Sequence, residues 1–392
     1  MAGPSFGILL KFFQKAGFFP CKKVAENDKT CLEPINGCIQ FSKLFSCWLC
    51  ILCVQVASFW IPYSSSLNCE NFLDFLTDFY MTGFSLNGSI FDIVLNICLY
   101  PFLIGQNVMI IWKSFRARGK LCEVYNYLEH HASSEAKLLE KDYILHILKI
   151  ALLVTGQGFF IIGFGLNILE KFSFGFISIV PYFLWYFISV PFLHAPLMAV
   201  HLYFLEMHWK LQSWMNSLKK SLEIEKPFDN HLYQCNHLAK VLNMISDTLS
   251  EIVFWLFTFF LLLSTIETYT MINFILTHSD FSVATIFLMI GFGFYGMYFL
   301  YFAYSYCILS QSIKDSADDI KIILKKTDIN KEMKSREQIF KKQIEMELKK
   351  FQGFHGNGYF ILGKPLLTSV VANIITYLII LIQFKVSELS SQ

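Results

Sequence analysis

The sequence predicts an all-α membrane protein with seven transmembrane helices, its N-terminus cytoplasmic and its C-terminus extracellular. Three observations lead there. Of 392 residues, 55% are hydrophobic and only 16% charged, against about 25% charged in a soluble domain. Such a chain lacks the polar surface to cover a water-exposed globule. Seven apolar runs each have the length, about 20 residues, that crosses roughly 30 Å of hydrocarbon. Lys and Arg stay on the cytoplasmic side in short loops, and 30 of the 32 here fall in alternate loops.

The elements follow in chain order. Residues 1–43 form a cytoplasmic N-terminal segment. Its opening, MAGPSFGILLKFFQKAGFF, is broken by Lys11 and Lys15 and lacks a small-residue cleavage site. It reads as an interfacial amphipathic helix rather than a signal peptide. The seven runs are Leu44–Tyr63, Ile93–Trp112, Ile150–Leu169, Phe174–Leu205, Ile252–Phe274, Phe281–Leu309 and Pro365–Phe384. The fourth and sixth exceed the thickness of the bilayer, so they tilt, kink or project beyond it. Pro181, Pro191 and Pro196 are the kink points of the fourth. Residues 44–310 thus hold the first six spans, with cytoplasmic helical extensions at 206–251.

Six basic residues precede the first run, six lie between Lys113 and Lys141, five between Lys210 and Lys240, and twelve between Lys314 and Lys364. The opposite loops hold Lys171, and the C-terminus Lys385. The sequon Asn87-Gly88-Ser89 falls in the loop between the first two runs, on the side the charges assign to the exterior, so Asn87 is the expected glycosylation site. This threading is the reverse of a G-protein-coupled receptor.

The formal net charge of +2 points to no nucleic acid. No Gly-rich phosphate loop, His-Glu metal helix or nucleophile elbow is present, so neither an enzyme nor a cofactor is expected. Of eleven cysteines, Cys69 alone is in an exterior loop, and Cys47, Cys50 and Cys53 sit within the first apolar run as packing residues rather than metal ligands.

The cytoplasmic loops carry helical periodicity. Leu211, Met215, Leu218 and Leu222 continue the fourth run until Pro227. Leu232, Leu238, Leu242, Ile245 and Leu249 return toward the fifth. Ile313, Ala317, Ile320 and Leu324 extend the sixth, and Ile339, Phe340, Ile344, Leu348 and Phe351 make a further stripe. Such a cluster either assembles subunits or caps one chain as a self-contained bundle.

In the seventh run Ser369, Asn373, Thr376, Ile380 and Gln383 share one helical face. Because a polar group facing lipid costs free energy, that face either packs on polar partners or lines water.

At this point a family becomes recognisable. FHGNGYFILGKPLLTSVVANIITYLIILIQF, Phe354 to Phe384, resembles the C-terminal signature of insect gustatory receptors. Its core is Thr376-Tyr377, five hydrophobic residues (Leu378 to Ile382), then Gln383-Phe384. Upstream, Tyr359-Phe360 and Leu366 to Ser369 fit the same pattern, whereas Gly363 replaces a common acidic residue. The resemblance implies a homotetrameric, ligand-gated, non-selective cation channel at the plasma membrane of gustatory sensory neurons. Its partners would be a small-molecule tastant, the permeating cations, further copies of the chain or other gustatory subunits, and membrane lipid. It implies cytoplasmic anchor helices at 311–364, a pore-lining helix at 365–385 and a short extracellular tail at 386–392. Four copies of the last helix would surround the pore, with Ser369, Asn373 and Thr376 along its wall and the gate at Ile380, Gln383 and Phe384. Rings of Ile380 or Phe384 can stop conduction by dewetting, and four Gln383 amides can solvate a passing cation.

The same resemblance implies a ligand pocket per subunit among spans two to six. The candidates are Gln157, Phe160 and Asn167 on the third span, Tyr182, Trp185 and Tyr186 on the fourth, Thr265, Glu267, Tyr269 and Asn273 on the fifth, and Phe292 and Tyr295 on the sixth. Aromatic walls with a few polar groups suit small amphiphiles, sugars included. Glu267 would cost on the order of 2–3 kcal/mol as a charge at that depth. It serves either a ligand hydroxyl or amine, or a structural pair. The near neighbour is the odorant-receptor branch, whose members work as subunits of heteromeric channels. Leu378 stands where one sugar-receptor branch carries a glutamate, and both a fructose-type and a bitter receptor remain open.

Overall fold

The computed structural model describes residues 21–26, 29–34, 43, 46, 105–131, 140–172, 176–223, 228–277, 282–326 and 335–390. The expected N-terminal amphipathic helix, the first run apart from Ser46, most of the second, Asn87 and the cysteines at 47, 50, 53 and 69 lie outside these residues.

Among the described residues the chain is nearly all helical. A helical stretch, 105–116, turns at Ala117 into α1 (Arg118–His131). There follow α2 (Glu140–Gly156), α3 (Gly158–Phe172), α4 (Phe176–Glu223), α5 (Phe228–Thr277), α6 (Val283–Lys326), α7 (Ser335–Lys350) and α8 (Lys364–Ser390). Two small antiparallel hairpins depart from the all-α expectation: β1 (Cys21–Glu26) with β2 (Lys29–Pro34), and β3 (His355–Gly356) with β4 (Phe360–Ile361).

The third to seventh apolar runs fall largely within these helices. Among the described residues, four stretches are long and apolar enough to cross a bilayer: Ile144–Asn167, His231–Asn273, Val283–Lys326 and Lys364–Phe384. The fourth run lies in α4, which continues for 48 residues through Pro181, Pro191 and Pro196. The fifth run and the extension before it are one helix of 50 residues, and the sixth with its extension is one of 44.

α6 is the hub, packing against α2, α3, α4, α5 and α8. Its contact with α3 depends on glycine. A side chain on Gly163 would begin 2.6 Å from the Ala284 carbonyl and the Leu288 amide, and one on Gly291 would collide with the Phe160 backbone. Lipid supplies no hydrophobic force between helices, so close backbone approach through small residues is what holds such a pair.

The extensions do have a hydrophobic drive. Leu211, Met215, Leu218, Leu222, Leu232, Leu238, Leu242, Ile245 and Leu249 are all buried, as are Ile313, Ala317, Ile320 and Leu324. Taking a Leu or Ile out of water contributes about 1.5–3 kcal/mol, so this cluster stabilises itself. In α7, Ile344 and Leu348 are buried, followed by Phe351, but Ile339 is 68% exposed. Ile339 precedes Ile344 by five residues, about 140° away from it around the helix at 100° per residue. It belongs to another face.

Hairpin β1–β2 is clipped to α1 by one amide. The Asn126 Oδ1 accepts the Leu32 N–H (2.7 Å), and its Nδ2 donates to the Leu32 carbonyl (2.9 Å). The side chain thereby mimics the next strand of a ladder.

Candidate functional site: the last helix, its base and an aromatic cluster

α8 is seated on α5 and α6 by Val370, Ile374 and Leu378, each four residues after the last and each less than a tenth exposed. The other faces are uncovered. Ser369, Asn373, Thr376 and Gln383 are exposed, and so are Ile380 at 41% and Phe384 at 68%. Only 17% of the apolar window of this helix is buried, against 67% in α5. The chain's described residues therefore do not enclose the polar stripe. The Ser369 hydroxyl donates to the Pro365 carbonyl (3.1 Å) and Thr376 to Ala372 (2.9 Å), so both are satisfied within the helix. The amides of Asn373 and Gln383 face outward with them. The helix also runs on to Ser390, through most of the expected tail.

The base of α8 is built by the motif residues. The Ser310 hydroxyl on α6 receives the Phe354 N–H (3.3 Å) and donates to the Leu362 carbonyl (3.1 Å). Ser246 on α5 donates to the Gly353 carbonyl (3.3 Å). Asn357 and Gly358 make the turn between β3 and β4 with φ of 49° and 79°, angles that an Asn-Gly pair tolerates. Tyr359 and Phe360 then lie against Phe254 of α5, with ring centroids 5.2 and 6.4 Å away. Two serines and three rings thus fix where α8 leaves the bundle. A cleft of about 490 Å³ beside this hairpin is lined by Asn243, Asp247, Glu347, Lys350, Gln352 and His355, among others.

The ligand candidates are partly brought together. Phe160 of α3 meets Phe292 edge-on at 5.1 Å and Tyr295 at 6.1 Å, both on α6. His194 of α4 lies 6.0 Å from Tyr295 and 4.6 Å from Tyr298. Gln157 is buried at the turn between α2 and α3, where its carbonyl accepts the Phe160 N–H (3.0 Å). Glu267, 1% exposed, faces α6 at Gly296, and its Cβ is 3.9 Å from where a side chain there would begin. The Oε2 of Glu267 has no hydrogen-bond partner among the described residues. Thr265 and Tyr269 are buried as well, but each is two residues from Glu267, about 200° around the helix, so the structure does not group them with it. Asn273 is buried nearer the end of α5, and Asn167 is half-buried. Tyr182, Trp185 and Tyr186 fall within α4, and their side chains lie outside the described ones.

Sequence reasoning missed a charged knot at the start of the α4 extension. Lys210 pairs with Glu206 (3.1 Å) and Glu129, and its ammonium lies 3.4 Å from the centre of the Tyr125 ring. The Tyr125 hydroxyl donates to Glu206 (2.7 Å). Burial, then the Glu206 charge, push the Tyr125 phenol well above its usual range. Nearby on α4, burial first and then His146 hold His208 down at about 4. The i,i+4 spacing of Glu206 and Lys210 is legible in the sequence; Tyr125 and Glu129 come from a distant helix.

Long helices around a central α6, a last helix with an uncovered polar face and a hairpin-fixed base define a scaffold of membrane-length helices. The chain belongs to the 7tm chemosensory receptor family, whose model matches residues 6–388. Two similar solved structures are of the insect olfactory receptor OR5 from Machilis hrabei. In complex with eugenol it is 13% identical, covers 97% of each chain and has a TM-score of 0.65. The second structure of OR5 gives 14%, 97% of each chain and 0.62. The shared fold is the seven-transmembrane one. No curated protein sequence matches the chain.

Proposed function

We propose that this chain is a gustatory receptor acting as a homotetrameric, ligand-gated, non-selective cation channel. The observation that carries the reading is the uncovered face of α8, where Ser369, Asn373, Thr376, Ile380 and Gln383 align while Val370, Ile374 and Leu378 seat the helix. A polar stripe is costly against lipid, and four such helices around an axis would give it water. Ile380 and Phe384 then form the apolar constriction and Gln383 the amide ring. The N-terminus lies in the cytoplasm and the C-terminus outside, following the Lys and Arg distribution. Residues 311–364 act as anchor helices, 365–385 line the pore, and Asn87 carries glycan on the plasma-membrane exterior of gustatory neurons. A small molecule bound among α3 to α6 opens the pore by preferring the open arrangement, and its leverage equals its differential affinity for the two states.

The test is whole-cell recording from cells expressing the chain alone. Gln383→Ala is expected to change cation permeability ratios, and Ile380→Ala to raise resting leak. Wild-type permeation and leak in both variants would remove α8 from the pore wall. A second reading, a subunit of the odorant-receptor type that needs a different partner chain, draws on the similarity to OR5. It predicts no current without co-expression.

A further inference from the structure

We propose that the receptor's ligand is a protonated or quaternary amine, bound between Glu267 and the ring cluster of Phe160, Phe292 and Tyr295. This rests on the chemoreceptor reading above and names the chemical class that reading leaves open. The argument starts with the acid. Glu267 lies ten residues before the end of α5, about 15 Å along the helix, and is 1% exposed. Its Oε2 is unpartnered, and no described residue supplies a countercharge. A buried carboxylate in that position wants a cation. Beside it on α6 is Gly296, where a side chain would begin 3.9 Å from the Glu267 Cβ and 3.6 Å from the Thr268 Oγ1. One turn earlier on α6 is Phe292, and Phe160 of α3 meets both it and Tyr295, the residue before Gly296, edge to face. Ring faces attract a cation within about 6 Å of their centres. One acid with several aromatic rings is the composition that recognises an ammonium group.

The opposite chemistry fits less well. A sugar presents many hydroxyls and needs several donors and acceptors aimed at it. The neighbouring hydroxyl, Thr268, already donates to the Ser264 carbonyl (2.6 Å), which leaves a ligand only its acceptor capacity.

The full-length protein, purified in detergent, should be titrated with 2-phenylethylammonium, quinine, the neutral isostere 2-phenylethanol and D-fructose, following intrinsic fluorescence. The amines are expected to bind at least tenfold more tightly than 2-phenylethanol. Glu267→Gln should erase that preference while leaving the unliganded protein at least as heat-stable as wild type, and Glu267→Asp should keep part of it. Phe292→Leu should weaken the amines more than the alcohol. Equal binding of amine and alcohol, fructose binding in preference to both, or amine binding unaltered by Glu267→Gln would overturn the proposal. Binding is read without conduction, so the outcome is separable from the channel reading. Glu267-dependent amine binding in cells that pass no current would sink the channel and keep the ligand class.

Discussion

Replacing Lys210 with methionine is the most informative perturbation of the fold. Lys210 is 6% exposed at its side chain and Glu206 2%. Two carboxylates and one ring converge on a single ammonium. Methionine keeps the stem's volume but strands Glu206 in the interior. Removing one partner of a buried ion pair costs about 3–5 kcal/mol, most of it the desolvation of the charge left behind. Unfolding entropy of about 2.1 cal/mol/K per residue converts that to a fall in Tm of roughly 4–6 °C for a chain of this length. Part of the loss is recoverable. Glu206→Gln in the Lys210→Met background removes the stranded charge, retains an acceptor for Tyr125, and should restore about half of the lost stability. The assay is fluorescence-detected size-exclusion chromatography of heated detergent extracts, comparing the two single variants, the double variant and wild type. A single Lys210→Met loss below about 1 kcal/mol, the surface-pair value, would show that the knot is hydrated, and the reasoning would fail. So would a double variant with purely additive losses.

Three further outcomes follow. Gly291→Ala should lower Tm, because its methyl meets the Phe160 backbone, by the roughly 1–3 kcal/mol typical of overpacking, whereas Gly293→Ala, whose nearest neighbour is the Met271 sulfur at 3.7 Å, should be neutral in the same heating assay. Asn126→Leu should release β1–β2 from α1, seen as faster amide exchange across residues 21–34 with α5 and α6 unchanged. His208 titrates at about 4 in the fold and at its ordinary 6.5 when unfolded, so the unfolded chain binds more protons between those values and stability is complete above pH 6.5 and lost as pH falls. At pH 5.5 the loss is on the order of 1 kcal/mol, and His208→Gln should flatten this part of the Tm–pH curve.

Much of the architecture was legible because the two solvents impose simple rules. Unbroken apolar length marked the helices that cross lipid, and the 3.6-residue stripes marked the extensions buried in water-facing contacts. Leu211 to Leu222 and Ile313 to Leu324 are buried as their spacing requires. The single stripe error, Ile339, came from counting a residue adjacent to Phe340 as if it shared its face. The polar stripe of α8 was readable too, since Ser369, Asn373, Thr376 and Gln383 recur on one side. The hairpin before it had a signal that went unused: Asn357-Gly358 is a strong turn pair. What could not be read is what depends on partners far apart in the chain. Nothing in the sequence brings Glu129 to Lys210, 81 residues away, or places Gly296 opposite Glu267, and periodicity cannot reveal which of Glu267 and Tyr269 faces α6.

The length of α6 has a mechanical consequence. Its 44 residues form one uninterrupted rod of about 66 Å, carrying Phe292 near one end, Ser310 midway and Leu324 at the other. A rigid rod magnifies small rotations: pivoting by about 5° at one end sweeps the other through roughly 6 Å. Because Ser310 grips the hairpin from which α8 departs, the same pivot at the Val283 end would move Phe292 by only about 1 Å but Ser310 by about 3–4 Å. Breaking the rod with a proline between those two points would uncouple its ends without touching either.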